Sequence, residues 1–166
     1  QPDPRNPRIV NGSFENLLDD QRPSGWHYQR QLTIVTGEEP APDGQRFVRF
    51  RNHEPGRGCR ALQGFAVDGR AVSTLHLSFD VRGKNIRYRQ RRSQWLAVVV
   101  TFYDQKRAAL SEEQVGPFDG TFDWRNETGH LRVPLAAREA ILRIGLLGAV
   151  GEIDLDNLQL APHGSR

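Results

Sequence analysis

The chain has 166 residues, is 37% hydrophobic and carries a formal net charge of +3. This length suits one domain with a single core, and no apolar segment approaches the roughly 18 residues that span a bilayer, so we expect no membrane partner. The 16 glycines and 10 prolines, with no long run at helical spacing, argue against a helical fold. The one cysteine, Cys59, excludes an intrachain disulfide, and we interpret it as a small, partly buried residue.

The hydrophobic pattern along the chain predicts many short strands. Residues 1–8 (QPDPRNPR) contain three prolines and are interpreted as an extended leader, residues 9–161 as a single domain, and residues 162–166 as a tail. Strands are predicted at 9–15, 27–36, 46–51, 60–67, 72–81, 95–104, 131–134, 141–146 and 151–160. Roughly nine to eleven strands without a substantial helix predict an all-β fold, specifically a β-sandwich.

The segment 95–104 (WLAVVVTFYD) is predicted to be a central strand, because both of its faces carry β-branched or aromatic residues. One face carries Trp95 and Tyr103 with small residues between them, which suits a shallow platform for a flat, hydroxyl-rich ligand. Alternatively, both aromatic residues cap a core. The segment 72–81 has a similar division, with His76 and Asp80 on its polar face, so the two segments could be neighbouring strands joined by a loop.

Residues 82–92 (RGKNIRYRQRR) form a basic window. It contains five arginines, one lysine and no acid, so it carries +6 and the rest of the chain carries −3. We interpret the window as a loop that could attract nucleic acid, an acidic polysaccharide or an anionic surface, or that is merely solvated. Tyr88 is its only aromatic residue, which argues against nucleic acid.

The segment 151–160 (GEIDLDNLQL) changes its alternation midway. Ile153 and Leu155 belong to one register, whereas Leu158 and Leu160 belong to the other. Because successive strand residues point to opposite faces, an extra residue must be absorbed near 156–157. This pattern predicts a β-bulge, a feature that often re-aims side chains at a site.

Several short motifs, taken in order, resemble the jelly-roll carbohydrate-binding modules of families 4, 9 and 22. They are Asn11-Gly12-Ser13-Phe14-Glu15, Gly25-Trp26, Asp43-Gly44, Trp124 ahead of Val133-Pro134, and Asp156-Asn157 in the last strand. The resemblance covers nearly the whole chain. It implies a jelly roll of two antiparallel sheets, with sugar bound on the concave face of one of them.

The resemblance also implies a structural calcium ion where the first and last strands meet. It places the carboxylates of Glu15 and Asp156 at the ion, with main-chain carbonyls near Ser13 and Gln45 as helpers. Oxygen ligands of this kind are what calcium prefers. The alternative is that both acids are ordinary surface residues or hydrogen-bond acceptors at strand ends.

For the sugar, we first assign Trp26 and Trp124 structural roles and take Trp95 as the platform. Aromatic faces stack on pyranose rings while nearby polar groups orient the hydroxyls. The predicted ligand-binding residues are His76, Asp80, Trp95, Tyr103 and Arg143, with Arg49 and Tyr88 at the margin. The arginine-rich window departs from the family pattern and favours an acidic glycan, since arginine pairs geometrically with carboxylate or sulfate.

Together these features predict a non-catalytic module that binds a polysaccharide and belongs to a larger secreted carbohydrate-active protein, tethered there to a catalytic domain. No pair of carboxylates is singled out by its surroundings, and the chain has no GxSxG, P-loop or HExxH motif, so we do not predict an enzyme. The alternative is a structural or protein-interaction β-sandwich without a sugar ligand.

Overall fold

The computed structural model describes residues 2–89, 91 and 95–166, and these residues form ten strands and no helix. The strands are β1 (His27–Arg30), β2 (Leu32–Thr36), β3 (Arg46–Asn52), β4 (Cys59–Ala66), β5 (Val72–Arg87), β6 (Val98–Tyr103), β7 (Ala109–Val115), β8 (Gly120–Arg132), β9 (Glu139–Leu146) and β10 (Val150–Ser165). Within this described part of the chain, nothing helical is present that could cross a membrane. The all-β prediction is confirmed.

The strands form two five-stranded antiparallel sheets that pack face to face. The first sheet has the order β1-β4-β9-β6-β7, and the second has the order β2-β3-β10-β5-β8. Alternate residues of each strand point inward, as in β4, where Cys59, Ala61 and Phe65 join the core. This arrangement confirms the predicted jelly-roll sandwich.

The predicted bulge lies where the alternation changes. The pairing of β10 with β5 shifts register between Asp156 and Gln159, and Asn157 has a φ of 53°. As a result, Ile153 and Leu155 before the bulge and Leu158 and Leu160 after it all reach the same core. An asparagine tolerates this left-handed conformation better than a bulky residue does.

Near the amino terminus, one predicted strand is wrong and another predicted segment is divided. Residues 9–15 form a turn in which Phe14 donates its N–H to the carbonyl of Asn11, and Phe14 stacks on the buried Trp26 with ring centroids 5.5 Å apart. The segment 27–36 is two strands, β1 and β2, which belong to different sheets. The chain crosses between the sheets at Gln31, whose φ is 55°.

The basic window is not a loop over its first half, because β5 continues to Arg87. Its charged residues alternate with buried ones, since Val81, Gly83 and Ile86 are buried, so the segment can remain in the sheet. The expected pairing of 72–81 with 95–104 is also wrong, because β5 and β6 lie in different sheets. Two residues of the window, Gln90 and Arg92, lie outside the described residues.

Both ends of the chain are attached to the sandwich. Asp68 donates its N–H to the carbonyl of Pro4 at 2.8 Å, and the Arg8 guanidinium donates to the carbonyl of Leu160 at 3.3 Å. At the other end, residues 162–165, which we assigned to a tail, are the last part of β10. Proline-rich sequence lacks N–H donors, but its carbonyls remain available as acceptors.

Cys59 is fully buried at the start of β4, whereas the sequence had suggested only partial burial. Its Sγ lies 3.2 Å from the carbonyl oxygen of Arg51, and burial raises the pKa of the thiol to about 11. Because the thiolate is the reactive form, we expect the native protein at pH 8 to react with an aromatic disulfide reagent about a hundredfold more slowly than the unfolded chain does. Equal rates with and without denaturant would contradict this placement.

Candidate functional site

A groove of about 1370 Å³ crosses the outer face of the first sheet. Its floor comes from β4, β9 and the end of β6, and one wall comes from the amino-terminal segment. The residues that line it include Arg8, His27, Gly64, Tyr103, Arg107 and Ile141.

Strand register explains why the floor of the groove is open. Gly64 of β4 lies beside Ile141 of β9, and two residues further along β4, Ala66 lies beside Glu139. Glu139 in turn lies beside Tyr103 of β6. Because small residues occupy the β4 positions, the Tyr103 ring stands next to open space.

The amino-terminal wall is held by the buried side chain of Gln63. Its Oε1 accepts the N–H of Val10 at 2.6 Å, and its Nε2 donates to the carbonyls of Val10 at 3.0 Å and Gly25 at 3.1 Å. Sequence reasoning missed this wall, because it treated residues 1–8 as a leader. The useful signal was Gln63, a polar residue at an inward position of an alternating strand.

The charges that line the groove are balanced. Arg8, Arg107 and Arg138 are present, and so are Asp3, Asp104 and Glu139. Arg107 and Glu139 form an exposed ion pair at 3.4 Å. The groove itself therefore has no strong preference for an anion, and its polar groups can both donate and accept hydrogen bonds.

Two predicted ligand-binding residues lie on this face. Tyr103 lines the groove, while Arg143 lies further along β9 and donates to Glu112 of β7 at 2.9 Å. Thr101 lies between them on the face and is 3.5 Å from the same carboxylate of Glu112. These side chains form a polar surface that continues from the groove toward β7.

Trp95 and Tyr88 lie elsewhere, as a stacked pair. Their ring centroids are 4.5 Å apart with an interplanar angle of 14°, and the Tyr88 hydroxyl donates to the carbonyl of Leu96 at 3.3 Å. Burial raises the pKa of Tyr88 to about 12. The pair precedes β6, whereas Tyr103 ends it, so the two aromatic residues that we placed on one platform lie at opposite ends of the strand.

The remaining predicted ligand residues belong to the outer face of the second sheet. Arg49 donates to Asp154, Asp80 accepts from Asn126, and His76 lies beside His130. The predicted set therefore does not form one surface. The reason is the sheet assignment of β5 and β6, which no local pattern determines.

Trp26 and Trp124 occupy packed positions, as predicted. Trp26 is buried under the turn at Phe14 and donates its Nε1 hydrogen to the carbonyl of Asn11. Trp124 packs edge-on against Phe47 on the outer face of the second sheet, and the Arg82 guanidinium lies 4.8 Å from its ring centroid.

The structure also reveals an exposed aromatic residue that sequence reasoning missed. Tyr28 is 78% exposed and has a φ of 50°, an uncommon conformation for a bulky residue. It lies in the edge strand β1, next to His27, which lines the groove. The strand pattern had suggested only an aromatic, β-branched run.

The two acids of the predicted calcium site are brought to the same segment, residues 43–46. Asp156 is fully buried and accepts the N–H of Asp43 at 3.0 Å through Oδ2. Glu15 accepts the N–H of Gln45 at 3.0 Å and that of Arg46 at 2.9 Å. Burial, with additional repulsion from Asp43 and Glu15, raises the pKa of Asp156 to about 7.

This geometry gives both acids a role as hydrogen-bond acceptors at strand ends. Across the residues that the structure describes, no three His, Cys, Asp or Glu side chains already form a metal-binding group. The predicted helpers are nearby, but the carbonyl of Gln45 already accepts the N–H of Gly37, and Ser13 lies in the turn before Glu15.

No protein family and no curated protein matches the sequence. Solved structures are similar, however. A family 16 carbohydrate-binding module has a TM-score of 0.58 and 19% identity, with 92% of this chain and 97% of that chain covered. A family 22 xylan-binding domain from Paenibacillus barcinonensis has a TM-score of 0.54 and 14% identity, with 90% of each chain covered.

Structures of enzymes are also similar to this chain. A Stig cyclase from Fischerella sp. TAU, solved with an indole compound, has a TM-score of 0.56 and 17% identity, and 95% of this chain and 97% of that chain are covered. The active domain of tailspike protein 4 from bacteriophage CBA120 has a TM-score of 0.62, but the chain spans only 21% of its length. The chain thus has the jelly-roll fold of carbohydrate-binding modules.

Proposed function

We propose that this chain is a non-catalytic carbohydrate-binding module that holds a polysaccharide in the groove on the outer face of the first sheet. The groove beside Tyr103 is the observation that carries the proposal. It is open to solvent and lined by an aromatic ring together with balanced polar groups, which is the combination that sugar rings need. The fold shared with carbohydrate-binding modules supports the same conclusion.

The side chains around the groove have complementary tasks in this proposal. The Tyr103 ring covers the apolar face of one sugar, and Ile141 beside Gly64 provides further apolar floor. Arg107 and Glu139 orient hydroxyl groups. Tyr28 stands exposed beside His27 and can contact a second sugar unit once the chain extends past the edge of the sheet.

The test compares Tyr103→Ala with Tyr103→Phe by affinity electrophoresis on a panel of neutral and uronic-acid polysaccharides. We expect Tyr103→Ala to weaken retardation at least about tenfold, because stacking is lost, and Tyr103→Phe to retain most of it. Leu135→Ala, which truncates an exposed side chain outside the groove, is the matched control.

Three outcomes would overturn the proposal or a part of it. If no glycan retards the wild-type protein, a structural or protein-interaction sandwich becomes the better interpretation. If Tyr103→Ala binds as tightly as Leu135→Ala does, the sugar lies elsewhere, and the stacked pair of Trp95 and Tyr88 is the next position to mutate. Release of reducing sugar by the purified protein would overturn the non-catalytic assignment.

We further propose that the ligand is acidic and that the basic end of β5 contributes to this preference. Arg87, Arg89 and Arg91 are exposed there, and arginine pairs well with carboxylate or sulfate. The charge-balanced groove would then supply sugar contacts, and this strand end would supply long-range attraction. In this proposal the module is secreted and tethered to a catalytic domain.

A structural calcium ion is also part of the proposal. Asp156 is a buried carboxylate with no basic side chain within ion-pair distance among the described residues, and Asp43 and Glu15 lie close enough to raise its pKa. Each Asp156 oxygen accepts one N–H and keeps a free lone pair. Glu15 and Asp156 would hold the ion, with carbonyls near Ser13 and Gln45, and the ion would fix segment 43–46 against the last strand.

Calcium should raise the thermal midpoint of the wild-type protein relative to chelator. At about one hundred times the dissociation constant, the expected increase is about 5–10 °C. Asp156→Asn should show no such increase, whereas Asp119→Asn, which removes an exposed acid elsewhere, should keep it. A wild-type midpoint that is equal in calcium and in chelator would leave both acids as hydrogen-bond acceptors alone.

A further inference from the structure

Three of the five histidines of the chain lie together on the outer face of the second sheet. The ring centroids of His76 and His130 are 5.1 Å apart, those of His76 and His163 are 6.3 Å apart, and those of His130 and His163 are 4.1 Å apart. This histidine cluster is remote from the groove, which lies on the other sheet. The glycan proposal does not use it.

Strand register explains how the cluster forms. His76 of β5 lies directly opposite His130 of β8. On the other side of β5, the register of β10 shifts between Pro162 and Gly164, and His163 is the extra residue at that irregularity. An extra residue changes which face a side chain reaches, so all three imidazoles lie on one face.

The spacing of the rings matches what a tetrahedral metal ion requires. A Zn–N distance of about 2.0–2.1 Å places the centroids of two coordinating imidazoles about 5 Å apart at a tetrahedral angle. The three observed separations bracket this value. His130 and His163 are exposed, so their rings can turn about the side-chain bonds without repacking the core.

The present ring orientations are not yet those of a bound state. His130 and His163 stack with an interplanar angle of 15°, so a ring must turn before the three nitrogens converge. In keeping with this, the described side chains hold no preformed metal-binding group.

We propose that His76, His130 and His163 form a binding site for one divalent transition-metal ion, with a water molecule in the fourth position. Imidazole ligands suit zinc, nickel and copper rather than calcium, which takes oxygen ligands. The ion would link β8, β5 and β10 across the second sheet and so stabilise the last part of β10.

Calorimetric titration of zinc chloride into the full chain tests this proposal in a chelator-free buffer at pH 7.5. We expect one zinc per chain with a dissociation constant in the micromolar range or below, and at least about a hundredfold weaker binding in His130→Ala, because one of three ligands is lost. His53→Ala is the matched control, because it removes an exposed histidine that lies in a loop outside the cluster.

Two further measurements make the result specific. Lowering the pH to 5.5 should weaken binding, because protons compete with a metal ion for imidazole nitrogens, and an excess of calcium should not compete. Circular dichroism of each variant establishes that it is folded. The proposal fails if wild-type binding is no tighter than millimolar, if the His130→Ala and His53→Ala proteins bind zinc equally, or if calcium displaces the zinc.

Discussion

Replacing Asp154 with alanine should lower the free energy of unfolding by about 3–5 kcal/mol, as expected when one member of a buried ionic network is removed. The Asp154 side chain is 5% exposed, and its two oxygens accept from Arg49 and Arg82 at 2.8–3.1 Å. Both guanidiniums are themselves largely covered, at 17% and 23% exposure. Without the carboxylate, two arginines remain close together, with Glu39 beside both of them and Glu152 3.8 Å from Arg49.

Urea denaturation measures the effect, and Glu112→Ala provides the matched control. Glu112 also pairs with an arginine, Arg143, but its side chain is 52% exposed. Pairs in that setting contribute about 0–1 kcal/mol. If Asp154→Ala were as mild as Glu112→Ala, the network on the second sheet would be a surface feature without structural importance.

Replacing Gly12 with alanine should destabilise the protein by about 3 kcal/mol, near the upper end of the cost of overpacking. A Cβ at Gly12 would lie 2.0 Å from the carbonyl oxygen of Leu158. That oxygen belongs to the backbone of β10, so no rotamer change relieves the contact. The turn at 11–14 would have to move away, which breaks the hydrogen bond from the Leu158 N–H to the Gly12 carbonyl and loosens Phe14.

Gly58→Ala is the control for the Gly12 variant. No atom lies within 4 Å of a Cβ built at Gly58, and its φ is not in the left-handed region. Its unfolding midpoint in urea should equal or slightly exceed that of the wild-type protein, since alanine restricts the unfolded chain. Similar midpoints for the Gly12 and Gly58 variants would mean that the amino-terminal turn does not rest on the last strand.

Part of the fold followed directly from local sequence. The switch of alternation at 156–157 predicted the bulge, because side-chain direction alternates whatever the partner strand is. Cys59 was expected to be partly buried from its residue type, and Trp26 was given a packing role by the family resemblance; both side chains are buried. The residues that form the floor of the groove, such as Gly64 of β4 and Ile141 of β9, are visible in the sequence. The sequence alone did not show that they lie side by side.

Other features depend on partners that are distant in sequence. Arg49 was predicted to touch a ligand, but it pairs with Asp154, 105 residues away. Arg82 lies on the polar face of its strand, as its alternation indicated, but only the pairing of β5 with β10 brings Asp154 beside it. A residue's charge is known from the sequence, but its neighbour on the adjacent strand is decided by sheet order.

The sequence by itself determined that this protein is an all-β sandwich with an interrupted last strand. These properties arise from alternation and residue type, which act over a few neighbouring residues. Only the tertiary structure decided that β5 and β6 lie in different sheets, that Tyr103 borders a groove walled by the amino terminus, and that three histidines meet. Strand order and register arise from contacts between distant segments, so they become visible only when the chain is folded.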